Sequence, residues 1–178
     1  MGKAEKLRNK MGIERVVLIG FMGTGKSAVG KLLAEKLNWG FIDTDSEIVK
    51  ETGCEIREIF EKHGEGYFRK LEADLMQRLN TQNQVVIATG GGTAVVVPQF
   101  VKVDGTLVVY LQTSFSRLCE RLKGDTTRPL FRDFDAASQL YLSREPRYFE
   151  IADLKIDETD MTLNEVVDKV YEMLEGKL

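Results

Sequence analysis

The order of apolar segments along the chain predicts a three-layer α/β/α domain, in which helices cover both faces of a parallel sheet. Three observations carry this reading. Short β-branched runs alternate with segments of helical apolar spacing, the pattern of parallel strands joined by crossover helices. A glycine-rich loop joins the first strand to the first helix. No linker, repeat or low-complexity tract divides the chain.

The elements follow in order. Arg15-Val-Val-Leu-Ile-Gly20 is apolar and β-branched, and reads as a buried strand. From Lys26 to Leu37, Val29, Leu32, Leu33 and Leu37 fall on one helical face. Trp39–Asp43 reads as the second strand. Helices are then expected at Ser46–Thr52, Ile56–His63 and Tyr67–Asn80, and strands at Val85–Ala88, Leu107–Leu111 and, with a weaker pattern, Leu154–Ile156. Helices over Ser114–Leu122, Ala136–Arg144 and Leu163–Leu174 fill the remaining gaps. Ligands of such a sheet bind at the C-terminal ends of its strands.

A chain of 178 residues has room for one domain with a full core, so 1–178 is read as a single unit. Its 43% hydrophobic and 30% charged residues describe an ordinary globular protein. A formal net charge of −3 gives no general attraction to nucleic acid or to an anionic membrane, so an anionic ligand must be held by a few placed cations. Two scattered cysteines, Cys54 and Cys119, and one histidine, His63, make neither a disulfide nor a zinc site the expectation. His63, among Glu61, Lys62 and Glu65, reads as a surface residue near a helix end. Residues 1–12 are basic but lack an apolar core segment and a cleavage pattern, and are expected to be a flexible lead-in. With no apolar run long enough to span a bilayer, the cytoplasm is the expected compartment.

Gly20-Phe-Met-Gly-Thr-Gly25-Lys26-Ser27 fits G-x-x-x-x-G-K-S/T in full, between the strand and the helix that this motif requires. Glycines let the backbone wrap a phosphate with several N–H groups pointing inward, and the following helix adds its positive end. Lys26 can span the β- and γ-phosphates as a point charge, and Ser27 can ligate Mg²⁺. Ala28 stands where many such loops carry a second hydroxyl, which removes one phosphate contact.

The strand Val85–Ala88 runs into Thr89-Gly90-Gly91-Gly92 with no carboxylate at its end, so the acid that commonly supports the metal must come from elsewhere. Asp43-Thr44-Asp45 supplies two. In an extended segment, side chains two apart point the same way, which would bring Asp43 and Asp45 into one cleft. The competing reading, a helix N-cap, accounts for one of the two.

Three arginines sit in motif-like surroundings: Arg69 in Gly64-Glu-Gly-Tyr-Phe-Arg69-Lys-Leu-Glu72, Arg128 in Thr127-Arg128-Pro129-Leu130, and Arg144 in Ser143-Arg144-Glu-Pro146-Arg-Tyr148. Each alone reads as a surface charge. Together with LIGFMGTGKS, FIDTD, TGGG and R-x-P-x-Y-x-E-I-A-D they form a set, from about Val16 to Asp157, that resembles the shikimate kinase family.

That resemblance implies a nucleoside-monophosphate-kinase-like fold with a central five-stranded parallel sheet, an acceptor-binding subdomain over residues 44–72 and a lid over residues 123–135. It implies phosphoryl transfer from ATP to shikimate, giving shikimate 3-phosphate on the route to chorismate and the aromatic amino acids, in a monomer that uses Mg²⁺. Asp45 would hold the acceptor hydroxyls, Arg69 and Arg144 would clamp its carboxylate, and Gly90, Gly91 and Gly92 would close on its ring. Gly23, Thr24, Gly25, Lys26, Ser27, Ala28, Arg121 and Arg128 would contact ATP. Lys26, Asp45 and Arg128 would serve the transfer itself, and Asp43 would hold the metal through water beside Ser27. Arg147, where the family usually carries Leu, has no role in this scheme. Alternatives on the same motif are a kinase for gluconate or a nucleotide, a slow nucleotide switch, and a binding module without turnover.

Overall fold

The computed structural model describes residues 12–123 and 133–176. Five strands, β1 (Arg15–Ile19), β2 (Gly40–Asp43), β3 (Val85–Ala88), β4 (Thr106–Gln112) and β5 (Leu154–Asp157), form one sheet in the order β2-β3-β1-β4-β5. Every pairing is parallel. The eight described helices are α1 (Lys26–Leu37), α2 (Thr44–Thr52), α3 (Ile56–Leu79), α4 (Thr93–Val96), α5 (Pro98–Val101), α6 (Phe115–Leu122), α7 (Phe134–Ile151) and α8 (Leu163–Leu174). The predicted α/β/α fold with its five-stranded parallel sheet is the one observed.

Alternation along β1 divides the core in two, because successive side chains leave opposite faces of a strand. Val17 and Ile19 join Ile59, Leu75 and Met76 of α3 and Tyr141 and Tyr148 of α7. Val16 and Leu18 face the other way, onto Val29 and Leu33 of α1 and Val166 and Val170 of α8. Strands buried on both faces read as continuous apolar runs, which is why the strand segments were visible in the sequence.

Helix boundaries differ from expectation where local chemistry overrides pattern. α2 begins at Thr44, two residues early, because the Asp43 side chain accepts the Ser46 backbone N–H at 3.1 Å and caps the helix. Asp45 therefore lies in the first turn of a helix, not in an extended segment as predicted. The two helices expected over Ile56–His63 and Tyr67–Asn80 run together as α3, with a break at Gly64 (φ 78°, ψ 172°) that glycine tolerates. α7 continues beyond Arg144 through Pro146 to Ile151. Pro146 takes the partner from the carbonyl of Leu142, but this stretch is exposed and solvent can donate instead. α4 and α5, one turn each, lack enough length to show a period.

At the N-terminal end of the sheet, away from the glycine loops, Arg15 is buried at 4% exposure. Its guanidinium donates to the carbonyls of Gln82 (2.8 Å) and Asp104 (2.6 Å) and to Thr106 Oγ1 (3.2 Å), tying the loops before β3 and β4 to β1. Arg15→Met keeps the apolar stem and removes all three bonds. Urea denaturation should show a loss of about 2–4 kcal/mol. Substrate KM values should stay at the wild-type level, since the site lies at the opposite ends of the strands.

Candidate active site

The C-terminal ends of β1, β2 and β3 deliver three loops to one place. The first is the loop from Gly20 to Gly25, in which three glycines have positive φ (144°, 86° and 78° at Gly20, Gly23 and Gly25). Gly20 has no room for a side chain, because a Cβ there would lie 2.6 Å from the Leu111 carbonyl oxygen of β4. Inside the loop, Lys26 Nζ donates to the carbonyls of Gly20 (2.9 Å) and Phe21 (2.8 Å) and lies 3.4 Å from Thr24 Oγ1. Thr24 turns inward, its hydroxyl donating to the Phe21 carbonyl at 2.9 Å. The lysine is thus held at the mouth of the loop by neutral acceptors, which a more strongly charged phosphate can replace.

The second loop is the β2–α2 junction. Ser27 Oγ donates to Asp43 Oδ2 at 2.5 Å, while Asp43 Oδ1 caps α2. The N-cap reading of this acid is the one observed, and it leaves the other oxygen for the Ser27 hydroxyl. Asp45, one position into the helix from Thr44, lines the same cavity. Thr44 is fully buried and accepts the Gly90 backbone N–H at 3.0 Å, locking the second loop to the third.

The third loop is Thr89–Gly92. A Cβ on Gly90 would lie 2.6 Å from Asp45 Oδ1, 3.0 Å from Glu72 Oε1 and 3.2 Å from Thr93 Oγ1. One on Gly92 would lie 2.5 Å from Arg69 Nη1, and one on Gly91 would lie 3.7 Å from Arg144 Nη1. The triple glycine is therefore the floor against which both predicted arginines and Asp45 are packed, and at Gly90 and Gly92 a side chain would collide with them.

Arg69 is held from two sides. Its Nη1 donates to Glu72 Oε2 at 2.6 Å, and Nε and Nη2 donate to Glu65 Oε1 at 3.1 and 2.7 Å. Burial works against its charge, and the two carboxylates outweigh burial, so its pKa rises above the usual arginine value. Arg144 lies over the Phe21 ring, 6.0 Å from its centroid. Four residues on, Tyr148 donates from its hydroxyl to the Gly91 carbonyl. Burial pushes the Tyr148 pKa up to about 12 against the opposing charge of Arg144, so it remains a neutral donor.

Together Gly23, Gly25, Lys26, Ser27, Ala28, Asp43, Asp45, Gly91 and Arg121 line a cavity of about 400 Å³. Arg121 reaches it from α6, fixed by a two-point pair with Glu158 (2.7 and 2.8 Å) that raises its pKa. Arg128 and residues 124–132 of the predicted lid lie outside the described residues, as do residues 1–11. A larger concavity, about 1060 Å³, lies between α2 and the C-terminal half of α3. Along its walls Lys50 pairs with Glu47 and Arg78 with Glu51, and none of the loop glycines reaches it. The 400 Å³ cavity, which gathers the phosphate loop, Asp43, Asp45, Gly91 and Arg121, is the candidate site; Arg69, Arg144, Gly90 and Gly92 do not line it and meet it only through the glycine loop.

Several residues of this site carried no role in the sequence reading. Glu72 and Tyr148 stood inside the quoted motifs, three and four residues from Arg69 and Arg144, a helical spacing that could have marked them as partners. Thr44 and Thr93 gave no such signal. Glu158, also missed, is buried and held by Thr113 as well as Arg121. Arg147, unexplained before, pairs with Glu150 on the exposed side of α7.

For a divalent cation, the Ser27 hydroxyl and the Asp43 carboxylate offer adjacent hard oxygen donors, which suits Mg²⁺. Among the described residues no cluster of three or more His, Cys, Asp or Glu could hold a metal unaided, so most of the ligand shell would have to come from nucleotide and water. No helix among the described residues is long and apolar enough to cross a membrane.

Comparison with known proteins agrees with this geometry. The shikimate kinase family model matches residues 22–175. A shikimate kinase of Geobacter sulfurreducens is 44% identical over 160 residues, 87% of each chain, and one of Geobacter metallireducens is 36% identical over 93% of this chain and 94% of its own. The structure of an Acinetobacter baumannii shikimate kinase in complex with shikimate superposes with a TM-score of 0.86 at 34% identity, covering 97% of this chain and 99% of the other. A gluconokinase of Sinorhizobium meliloti, at 20% identity and a TM-score of 0.52, shares the fold alone. The chain belongs to the shikimate kinase family.

Proposed function

We propose that this enzyme transfers the γ-phosphoryl group of ATP to a hydroxyl of shikimate, giving shikimate 3-phosphate on the route to chorismate. The observation that carries the reading is the meeting of two arginines, one carboxylate and a bare glycine floor beside a phosphate-binding loop. That combination suits an acceptor with one carboxylate, a flat ring and several hydroxyls.

The backbone of Gly23, Thr24 and Gly25 binds the nucleotide phosphates, and Lys26 exchanges its loop carbonyls for phosphate oxygens. Arg121 and Ala28, both of which line the cavity, meet the nucleotide. Ser27 and Asp43 would hold Mg²⁺. When bound, the ion offsets the negative charge on the β- and γ-phosphates. Arg69 and Arg144 pair with the acceptor carboxylate, a geometry that suits planar guanidinium better than ammonium. Gly90, Gly91 and Gly92 let the ring approach the backbone. Asp45 accepts hydrogen bonds from the acceptor hydroxyls and turns one of them toward the γ-phosphate. Because the transition state of such a transfer is loose, orientation by Asp45 matters more than early removal of the proton. Residues 44–72 form the acceptor-binding part.

A gluconate kinase on the same fold is the competing reading. ADP release followed with shikimate, quinate, gluconate and AMP as acceptors separates the two. Release in proportion to added shikimate, with none for gluconate or AMP, is expected. Release that ignores the acceptor would mean a nucleotide hydrolase or switch.

Four substitutions test the roles. Arg144→Ala or Arg69→Ala should weaken shikimate binding by about 2–5 kcal/mol, with ATP affinity changed far less. Calorimetric titration of each ligand checks this, and wild-type shikimate binding in either variant removes the clamp. Asp45→Asn keeps shape but not charge, and turnover should fall by about 10²-fold or more with an unchanged unfolding midpoint. Asp43→Asn is more selective: Asn caps a helix as well as Asp, so stability should hold. The Mg²⁺ concentration at half-maximal rate should rise, and an unchanged Mg²⁺ titration argues against Asp43 as a metal-holding group.

A further inference from the structure

Tyr148 is buried at 1% exposure in α7, and no step so far has used it. It lies one helical turn beyond Arg144, so the two side chains leave the same face of the helix. Its ring packs against Tyr110 of β4, with centroids 5.2 Å apart, and its hydroxyl donates to the carbonyl of Gly91. Arg144 and Arg69 lie against Gly91 and Gly92 themselves, so the tyrosine hydroxyl shares the glycine loop with both guanidinium groups.

The planarity of the peptide gives this contact its consequence. A trans peptide carries its C=O and the following N–H on opposite sides. Holding the Gly91 carbonyl toward Tyr148 therefore aims the Gly92 N–H away from Tyr148. Glycine at 90, 91 and 92 leaves the loop backbone with more freedom than any other sequence would, and nothing in its own side chains can set the tilt of that peptide. A buried donor that stays neutral over the working pH range can set it.

We propose that Tyr148 is a positioning residue for the acceptor. By fixing the Gly91–Gly92 peptide, it sets the direction of the Gly92 N–H, which lies against the Arg69 guanidinium, and so the donor that the glycine floor offers to the acceptor. The inference rests on the acceptor reading of this site given above. It differs from that reading in assigning specificity to a residue that touches no substrate.

Tyr148→Phe keeps the ring and its stacking and removes only the hydroxyl. The shikimate KM should rise about tenfold, the cost of freeing one buried hydrogen-bonded group. The kcat at saturating shikimate and the KM for ATP should stay within about twofold of wild type, the signature of lost acceptor binding alone. Tyr110→Phe is the control, because its hydroxyl faces Tyr141 and not Gly91. A general loosening of the buried tyrosine layer would move both variants alike, and that result overturns the proposal. So does an unchanged shikimate KM in Tyr148→Phe when Arg144→Ala raises it. If Arg144→Ala itself leaves the shikimate KM unchanged, the acceptor clamp has failed and the tyrosine inference falls with it. An arm that needs no variant covers the case in which Tyr148→Phe does not fold. Amide exchange at Gly92 in the wild-type enzyme should slow when shikimate is added, and exchange that ignores shikimate overturns the proposal.

Discussion

The buried carboxylate of Glu72 is the constraint on which the acceptor side of the site depends. At 1% exposure it cannot be left unpaired, since an isolated charge out of water is costly enough to unfold the region or neutralise the group. Its two oxygens are taken by Arg69 Nη1 at 2.6 Å and Thr93 Oγ1 at 2.5 Å. Through them α3 is joined to the first residue of α4, and the guanidinium is held over Gly92. Glu72 also borders Gly90 and so lies close to Asp45. The arginine therefore has its place before any ligand arrives. A guanidinium set in advance loses less side-chain freedom on binding than a free one, which is the advantage of a prearranged site.

The glycines follow from the same crowding. Gly90 and Gly92 face Asp45 and Arg69 at distances no Cβ could share, and Gly20 meets the backbone of β4 in the same way. In each case what excludes a side chain is another functional or structural group. Three charged side chains, Arg69, Arg144 and Asp45, can then converge on one loop. They do so at the C-terminal ends of parallel strands, where β1 lies between β3 and β4 and its own loop carries the phosphate motif.

Much of this could be read in the sequence, and the reasons are physical. Strands buried on both faces leave unbroken β-branched runs, so β1 and β3 showed within a residue of their bounds. The phosphate loop was legible because strand, glycines, lysine and helix must occur in fixed order. Pattern failed where one side chain decides a boundary, as Asp43 does for α2, or where a helix tolerates proline, as α7 does at Pro146. Asp45 was placed in the right cleft for a wrong local reason, since it points there from a helix. The residues missed altogether, Thr44, Thr93 and Glu158, act through contacts between segments distant in sequence: Thr44 with Gly90, Thr93 with Glu72, Glu158 with Arg121. No periodicity records such contacts.

A chain of net charge −3 that receives two anionic ligands needs its cations restrained, and Arg69 indicates how the restraint can coexist with binding. Glu65, its outer partner, is 64% exposed, whereas the Glu72 side chain is fully buried. An exposed pair contributes about 0–1 kcal/mol. Breaking a buried one costs about 3–5 kcal/mol, because the remaining charge has no solvent. In the proposed acceptor clamp, a carboxylate that competes for the guanidinium would therefore displace Glu65 and leave Glu72 in place. Nη1 stays bonded to the protein, while Nε and Nη2, the edge now held by Glu65, become the edge offered to the ligand. The two acidic residues thus have unequal parts: buried Glu72 fixes the arginine, and exposed Glu65 covers the edge that the proposed clamp would offer.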